Sequence, residues 1–99
     1  MLYSVEDIRR ITVPIAARHG VGRVRLFGSY ARGDATEDSD VDLRIDCGKI
    51  SDLFEMGALY ADLQEGLSKP LDIVTTEGID AEFLRSIQPD EVLIYEQQG

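Results

Sequence analysis

The segment from Asp40 to Cys47 alternates polar and apolar residues without interruption. Successive side chains of a β-strand point to opposite faces, so this pattern predicts a strand with one buried face and one polar face. The polar face carries Asp40, Asp42, Arg44 and Asp46. The chain must therefore fold around a sheet that is packed on one side and that holds two neighbouring aspartates on the other.

Helical periodicity flanks this strand on both sides. Apolar residues at three- and four-residue steps predict a helix over residues 5–19, which Ser4 caps and Pro14 bends. The same spacing predicts a second amphipathic helix over about 51–68, with Ser51 as its N-cap. The residues assigned to the apolar face of this second helix are Leu53, Met56, Leu59, Tyr60, Leu63 and Leu67.

Shorter apolar runs complete the predicted secondary structure. Residues 24–27, 71–75 and 91–95 are expected to be strands, and residues 80–87 a short helix. Residues 30–38 are polar and rich in turn-forming types, so they are expected to form a loop whose first residues complete a helical turn. Helices alternating with short strands indicate an α/β or α+β domain around one mixed sheet.

The chain has 99 residues and a net charge of −9, with a single cysteine. Its length predicts one domain over residues 1–99, and its charge argues against binding duplex nucleic acid through a basic surface. A triphosphate can still bind such a protein if divalent cations lie between the negative groups. No apolar targeting or membrane-spanning segment is present, so we expect a cytoplasmic protein with no membrane association.

Asp40 and Asp42 are two residues apart in the predicted strand, which places their α-carbons about 6–7 Å apart on one face. Their carboxylates could share a Mg²⁺ ion, which is usually held by one or two carboxylates and substrate phosphates. The alternative is a polar strand face exposed to water, since Asp-x-Asp is a common tripeptide. Gly28-Ser29 favours the metal site, because a glycine and a hydroxyl before a helical turn suit a phosphate.

Two blocks of sequence carry a family resemblance. They are Leu-Phe-Gly-Ser-Tyr-Ala-Arg-Gly-Asp at residues 26–34 and Ser-Asp-Val-Asp-Leu at residues 39–43. Together they resemble the nucleotidyltransferases of the DNA polymerase β superfamily, whose motif is Gly-Ser, ten residues, then Asp-x-Asp. They are most similar to the minimal (MNT) branch, many members of which are antitoxins encoded beside HEPN-domain toxins. The resemblance implies a single-domain fold in which helices pack on one face of a small mixed sheet.

The resemblance also implies a catalytic set of three carboxylates. The third is Asp72, which alternates with apolar neighbours in the predicted strand 71–75. Asp40 and Asp42 would hold the Mg²⁺ bound to the nucleotide, and all three aspartates would hold a second Mg²⁺ at the acceptor hydroxyl. Asp72 would also accept the proton of that hydroxyl as general base. For Asp72, the alternative is a polar residue on an exposed strand face.

Four residues are implied to bind the triphosphate. The Gly28 backbone and the Ser29 hydroxyl would contact the β- and γ-phosphates, and the Arg32 guanidinium would neutralise charge. An ion pair with Asp34 or Glu37 is the alternative for Arg32. Ser39 binds phosphate or caps the turn before the strand, and the sequence favours neither.

Two further polar side chains receive weaker predictions. Tyr30 either stacks on the nucleotide base or makes an ordinary surface contact. Asp46 lies on the same strand face as Asp40 and Asp42, two same-face positions beyond Asp42, and is predicted to be solvated.

The function implied by the resemblance is transfer of AMP from ATP to a tyrosine hydroxyl of a partner HEPN toxin, which silences the toxin. The alternative is a non-catalytic antitoxin that binds and masks its partner. A glycosyltransferase that holds a sugar nucleotide through Asp-x-Asp is disfavoured, because such enzymes are much larger and the Gly-Ser block would be unexplained.

Overall fold

The computed structural model describes residues 2–98. These residues contain four α-helices and four strands. The helices are α1 Val5–Arg18, α2 Ser29–Arg32, α3 Leu53–Leu67 and α4 Ala81–Ile87. The strands are β1 Arg23–Phe27, β2 Val41–Asp46, β3 Leu71–Thr75 and β4 Val92–Glu96, and a single 3-10 turn, Gln88–Asp90, precedes β4. Within the same residues, no helix is both long and apolar enough to cross a membrane.

The four strands form one mixed sheet in the order β3-β2-β1-β4. β1 pairs antiparallel with both β2 and β4, and β3 pairs parallel with β2. The crossover from β2 to β3 runs through α3, which gives the two strands the same direction. The mixed sheet predicted from the sequence is confirmed.

The apolar face of the sheet is covered by α1 and α3. Val41, Leu43 and Ile45 of β2 are fully buried in one cluster with residues from both helices, among them Ile8 and Leu59. Burial of each such side chain contributes about 1.5–3 kcal/mol relative to exposure. The alternation in β2 is therefore the origin of the core, as the sequence predicts.

The opposite face of the sheet carries the polar side chains and one aromatic contact. Phe27 of β1 meets Phe83 of α4 edge to face, with ring centroids 5.9 Å apart. Phe27 is also the register partner of Asp42 on β2. The short helix α4 thus lies near one end of the polar face, while the two long helices lie on the other face.

The predicted caps are partly confirmed. Ser4 forms a capping box with Asp7 at the start of α1. The prediction of Ser51 as the cap of α3 is wrong, because Asp52 accepts the hydrogen bond from the backbone N–H of Glu55. The Ser51 hydroxyl instead donates to the Glu55 carboxylate.

Leu53 was assigned to the buried face of α3, and that assignment is wrong. Leu53 is the first residue of the helix, and its side chain is 87% exposed. The first buried position of α3 is Leu59, followed by Leu63 and Leu67. The first turn of α3 therefore extends beyond the core, so helical spacing alone does not determine whether Leu53 is buried.

Candidate active site

The start of the parallel β2–β3 pair brings two acidic side chains together. Asp42 and Asp72 are register partners on neighbouring strands. The backbone N–H of Val41 donates to the carbonyl of Pro70 at 3.0 Å, which aligns the two strand starts. Asp40 lies immediately before β2. The structure therefore places the third predicted carboxylate beside the Asp-x-Asp pair.

The electrostatics of Asp42 reflect this arrangement. Partial burial and the neighbouring carboxylates of Asp72 and Asp40 raise the pKa of Asp42 from 3.8 to about 6. The positive charge of Arg32 acts in the opposite direction and is the smallest of these influences. Negative charge thus accumulates at this end of the sheet and is only partly offset by Arg32.

Gly28 packs directly against this acidic group. Its φ of 76° lies in the left-handed region, where glycine is favoured. A β-carbon at this position would collide with the carboxylate of Asp42. Glycine is therefore favoured by the turn and lets the Asp42 carboxylate approach in this position, and this contact joins the two motif blocks in space.

The remaining predicted phosphate-binding residues surround the same turn. Ser29 is the first residue of α2 and follows Gly28 directly. Arg32 ends α2, and its Nε donates to Asp34 at 3.2 Å in an exposed ion pair. The ion pair considered as an alternative for Arg32 is therefore present, although Arg32 also lies close enough to lower the pKa of Asp42.

Ser39 closes the turn that precedes β2. Its hydroxyl accepts a hydrogen bond from the backbone N–H of Thr36 at 2.8 Å. Its own backbone N–H donates to the Thr36 carbonyl at 3.0 Å. The capping role is therefore observed.

Tyr30 lies in the core, which corrects both interpretations given to it. The residue is only 4% exposed and belongs to the main apolar cluster. It is thus neither a surface contact nor free to stack on a base. The Tyr30 ring is covered by Lys69, whose Nζ lies 5.7 Å from the ring centroid and donates to the Glu37 carbonyl at 2.7 Å.

Lys69 was not identified from the sequence. It is buried, and it ties the loop before β2 to the segment that enters β3. A lysine before a proline carries no periodic signal, so only the tertiary fold reveals this role. Its effect is to hold the two strand starts, and so Asp42 and Asp72, in place.

Asp46 is not merely solvated, contrary to the sequence-based expectation. Arg25 donates to its carboxylate at 3.3 Å, and Thr76 donates to the same oxygen. Arg23 and Arg44 lie 3.7 and 3.9 Å from its oxygens. These partners come from β1, from β2 itself and from the residue that follows β3, so the sheet register creates the cluster.

A buried ion pair supports this cluster. Arg44 donates to both carboxylate oxygens of Glu91, at 2.6 and 2.8 Å, and to the Thr76 hydroxyl at 2.8 Å. The side chains of Arg44 and Glu91 are 6% and 7% exposed. This bidentate pair fixes the segment before β4 to the centre of the sheet.

Among residues 2–98, no three acidic, histidine or cysteine side chains are gathered closely enough to form a metal site by themselves. The chemistry of the acidic group still fits Mg²⁺. The available donors are carboxylate oxygens, and a divalent cation would offset both the burial of the Asp42 carboxylate and its repulsion by Asp72 and Asp40, the causes that raise its pKa. A bound nucleotide would supply further oxygens of the kind that Mg²⁺ ligation requires.

Comparison with known proteins identifies the family. Residues 11–99 match the family described as "Polymerase beta, Nucleotidyltransferase". The chain is similar to the protein adenylyltransferase MntA of Thermococcus cleftensis, with 32% identity over 97 residues that cover 94% of this chain and 98% of the relative. It is also similar to a provisionally named protein adenylyltransferase of Methanocaldococcus jannaschii, with 37% identity over 76 residues that cover 77% and 82% of the two chains.

Solved structures agree with this assignment. A provisionally named minimal nucleotidyltransferase superimposes with a TM-score of 0.77 at 32% identity, covering 91% of this chain and 95% of the other. A toxin–antitoxin structure with AMP-PNP has the same fold, with a TM-score of 0.76 at 17% identity, covering 91% and 74% of the two chains. The aspartates at the starts of β2 and β3 thus lie in a minimal nucleotidyltransferase fold, and the chain is an enzyme that belongs to the polymerase β nucleotidyltransferase family.

Proposed function

We propose that this chain transfers AMP from ATP to a tyrosine hydroxyl of a partner HEPN protein and thereby acts as an antitoxin. The observation that carries the proposal is the pairing of Asp42 with Asp72 on neighbouring strands, with Asp42 packed against Gly28. The kind of transfer is supported by relatives named protein adenylyltransferases. The partner is supported by a structure of the same fold described as a HEPN toxin, tri-AMPylated, in complex with an MNT antitoxin.

The acidic side chains have distinct roles in this proposal. Asp40 and Asp42 hold the Mg²⁺ that accompanies the nucleotide, and Asp40, Asp42 and Asp72 hold a second Mg²⁺. The two ions supply charge neutralisation at the phosphates and at the acceptor oxygen. Partial burial of Asp42 strengthens its interaction with a cation, because less water competes for the carboxylate.

Asp72 acts on the acceptor. Its side chain is exposed at the edge strand β3, where a hydroxyl from another protein can reach it. Asp72 accepts the hydroxyl proton while the oxygen attacks the α-phosphate. The new bond joins that oxygen to phosphorus, and the bond to the departing pyrophosphate breaks.

The turn at the start of α2 binds the remaining phosphates. The Gly28 backbone and the Ser29 hydroxyl contact the β- and γ-phosphates. Arg32 adds positive charge by exchanging its exposed partner Asp34 for a phosphate, which costs little because exposed ion pairs are weak. The Ser39 hydroxyl accepts from the Thr36 backbone N–H and lies 3.4 Å from the Thr36 hydroxyl; with Thr36 as the donor of that second bond, the Ser39 proton is available to a phosphate oxygen.

The test is intact-mass spectrometry of the HEPN partner after incubation with the purified chain, ATP and Mg²⁺. We expect the partner to gain the mass of AMP, and we expect Asp42→Asn and replacement of the acceptor tyrosine by phenylalanine to abolish the gain. Asp38→Asn is the matched control, since it removes an equal charge from the exposed turn before β2. Complex formation with an unmodified partner would support masking and contradict transfer. Tailing of RNA without the partner would contradict the protein acceptor.

A further inference from the structure

An exposed aromatic side chain lies close to the acidic pair. Phe83 of α4 is 42% exposed, and its ring meets that of Phe27 edge to face, with the centroids 5.9 Å apart. Phe27 is the register partner of Asp42, so these two side chains project from the same face of the sheet. Directly paired residues have their β-carbons about 4.5–5.5 Å apart. Phe83 therefore contacts the residue that stands beside Asp42.

The main apolar core does not account for this pair of rings. Phe27 is only 6% exposed, yet it does not belong to the cluster that the long helices form with the other face of the sheet. Phe27 is buried on the polar face, where Phe83 covers it. This contact uses part of the Phe83 ring and leaves the rest open to solvent. Aromatic surface is therefore available on the face that carries Asp42.

The order of the strands separates the two sides of Asp42. Asp72 lies on one side, on the edge strand β3, and Phe27 lies on the other side, on β1. In the proposed function the acceptor hydroxyl approaches Asp72 from the edge of the sheet. The side of Asp42 that remains for the nucleotide is the β1 side, where the Phe83 ring lies.

The turn that is proposed to bind phosphates lies on the same side. Gly28 follows Phe27 in the chain, and Ser29 begins α2 directly after it. A nucleotide whose phosphates extend from Asp42 to this turn carries its base through the ribose on the α-phosphate. Phe27 adjoins both Asp42 and Gly28, so a ring in contact with Phe27 lies within reach of that base.

The charges around Phe83 favour an uncharged group as its ligand. Asp80 caps α4 and accepts a hydrogen bond from the backbone N–H of Phe83, and Glu82 lies in the same turn. These carboxylates would repel a phosphate. A nucleobase is neutral and flat, and it stacks on an aromatic ring without needing a charged partner. Among the parts of a nucleotide, the base therefore fits this surface best.

We propose that the exposed part of the Phe83 ring binds the base of ATP by stacking, while Asp42 and the turn at Gly28 hold the phosphate end. This inference rests on the proposed function for ATP as the substrate. Phe83 contributes affinity for the nucleoside and takes no part in the proton transfer at Asp72.

Calorimetry with two ligands tests the proposal. Phe83→Leu keeps an apolar side chain against Phe27 but removes the stacking ring. We expect this variant to bind ATP with Mg²⁺ at least about fivefold more weakly, the lower end of what stacking of a base supplies. Inorganic triphosphate with Mg²⁺ should bind the variant and the wild type equally, because it carries no base.

The matched control is Phe54→Leu. Phe54 is an 88% exposed phenylalanine of α3, the helix that packs on the opposite face of the sheet. The same substitution there should leave the affinity for both ligands unchanged.

A second measurement does not depend on a loss of affinity. The chain contains no tryptophan, so Phe83→Trp introduces a single fluorophore at the proposed contact. We expect this variant to retain its affinity for ATP, since tryptophan also stacks on a base. Its fluorescence should change on addition of ATP with Mg²⁺ and not on addition of triphosphate. Phe54→Trp should respond to neither ligand.

Three results would overturn the proposal. The first is equal ATP affinity in the wild type and Phe83→Leu, and the second is a Phe83→Trp fluorescence that ATP leaves unchanged. If ATP affinity is equal but more HEPN partner is needed for half-maximal AMP transfer, Phe83 contacts the acceptor protein instead. The third is an equal loss of affinity for ATP and for triphosphate, which would indicate that Phe83 only holds Phe27 in place.

Base binding and AMP transfer are scored separately. Weaker ATP binding by Phe83→Leu, with no modification of the HEPN partner by the wild type, would support the base contact and contradict the proposed transfer. Modification of the partner by Phe83→Leu at the wild-type ATP requirement would support the transfer and contradict the base contact. A wild-type chain that does not bind ATP with Mg²⁺ would contradict both proposals.

Discussion

Asp42 and Asp46 lie on the same face of the same strand, four residues apart, in opposite electrostatic surroundings. Asp42 faces Asp72 on the neighbouring strand, and the pKa of Asp42 is raised to about 6. Asp46 lies within 4 Å of three arginines and accepts a hydrogen bond from Thr76. The Asp42 carboxylate is therefore repelled by neighbouring carboxylates, whereas the Asp46 carboxylate is neutralised by arginines of the same chain.

The different surroundings of Asp42 and Asp46 indicate different roles for the two ends of β2. At the end near Asp46, charges are matched within the chain, so they contribute to the fold. At the end near Asp42, burial and the neighbouring carboxylates disfavour the ionised form, and a cation from outside the chain would offset this. A strand with a uniform polar face in sequence is thus structural at one end and a candidate active site at the other.

The largest effect is expected from breaking the matched end. Arg44→Met would leave Glu91 buried without a cation and would remove one positive charge near Asp46. We expect the free energy of unfolding to fall by about 3–5 kcal/mol, measured by urea denaturation. The double variant Arg44→Met with Glu91→Leu should recover most of the loss, because it leaves no buried charge unpaired. A loss below 1 kcal/mol in the single variant would mean that the pair is not structural.

A smaller effect is expected from removing Mg²⁺, the cation that we propose binds at the Asp42 end of β2. In EDTA, ATP should bind at least about tenfold more weakly than in Mg²⁺, a difference of about 1.4 kcal/mol. The reason is that the triphosphate would meet Asp40, Asp42 and Asp72 without screening. Calorimetry under both conditions measures this difference. Equal affinity in EDTA would contradict the role of these aspartates as metal ligands.

A still smaller effect, with the opposite sign to that of Arg44→Met, is expected for Asp42→Asn in EDTA. Removing one of the repelling carboxylates should leave the fold intact and raise the free energy of unfolding by a few tenths to about 1 kcal/mol. The melting temperature in EDTA measures it. Asp38→Asn, in the exposed turn, should change little. A variant that melts several degrees lower would show that Asp42 is structural, as Asp46 is.

The pH dependence of the same contrast is expected to be of comparable size, because protonation removes the same charge as Asp42→Asn. The pKa of Asp42 is higher in the folded chain, about 6, than its ordinary value of 3.8, so protonation favours the folded state. This contribution is complete below 3.8 and is lost as the pH rises through about 6. Relative to Asp42→Asn, the wild type in EDTA should therefore gain stability as the pH falls from 7 to 5. A difference that is constant over this range would contradict the raised pKa.

The elements of the fold that follow from local pattern were predicted well. Alternation located β2 and its buried face, and Ser4 with Asp7 marked the start of α1. The start of α3 was misplaced, because Ser51 and Asp52 are both good capping residues and only the hydrogen bond to Glu55 decides between them. The prediction that Leu53 is buried was wrong for a related reason. Periodicity gives the direction in which a side chain points around the helix axis, but it does not show how far the core extends along the helix.

The two motif blocks predicted which residues lie together at the candidate site, and contacts that depend on the sheet register were missed. The proximity of Asp72 to Asp42 followed from the family resemblance. The arginines around Asp46 are contributed by pairings such as Arg23 with Asp46 and Arg25 with Arg44. The sequence does not specify these pairings, so Asp46 looked like a solvated residue.

The contact between Gly28 and Asp42 sets an order in which the two positions can change over generations. A β-carbon at position 28 would force the Asp42 carboxylate to turn away, and a φ of 76° disfavours most residues there whether or not Asp42 is present. If Asp42 is catalytic as proposed, a lineage that no longer needs catalysis can replace Asp42 and keep the turn, whereas replacing Gly28 strains the turn at once. Inactive descendants of this enzyme should be found with the glycine kept and the aspartate gone, whereas the reverse combination should be rare.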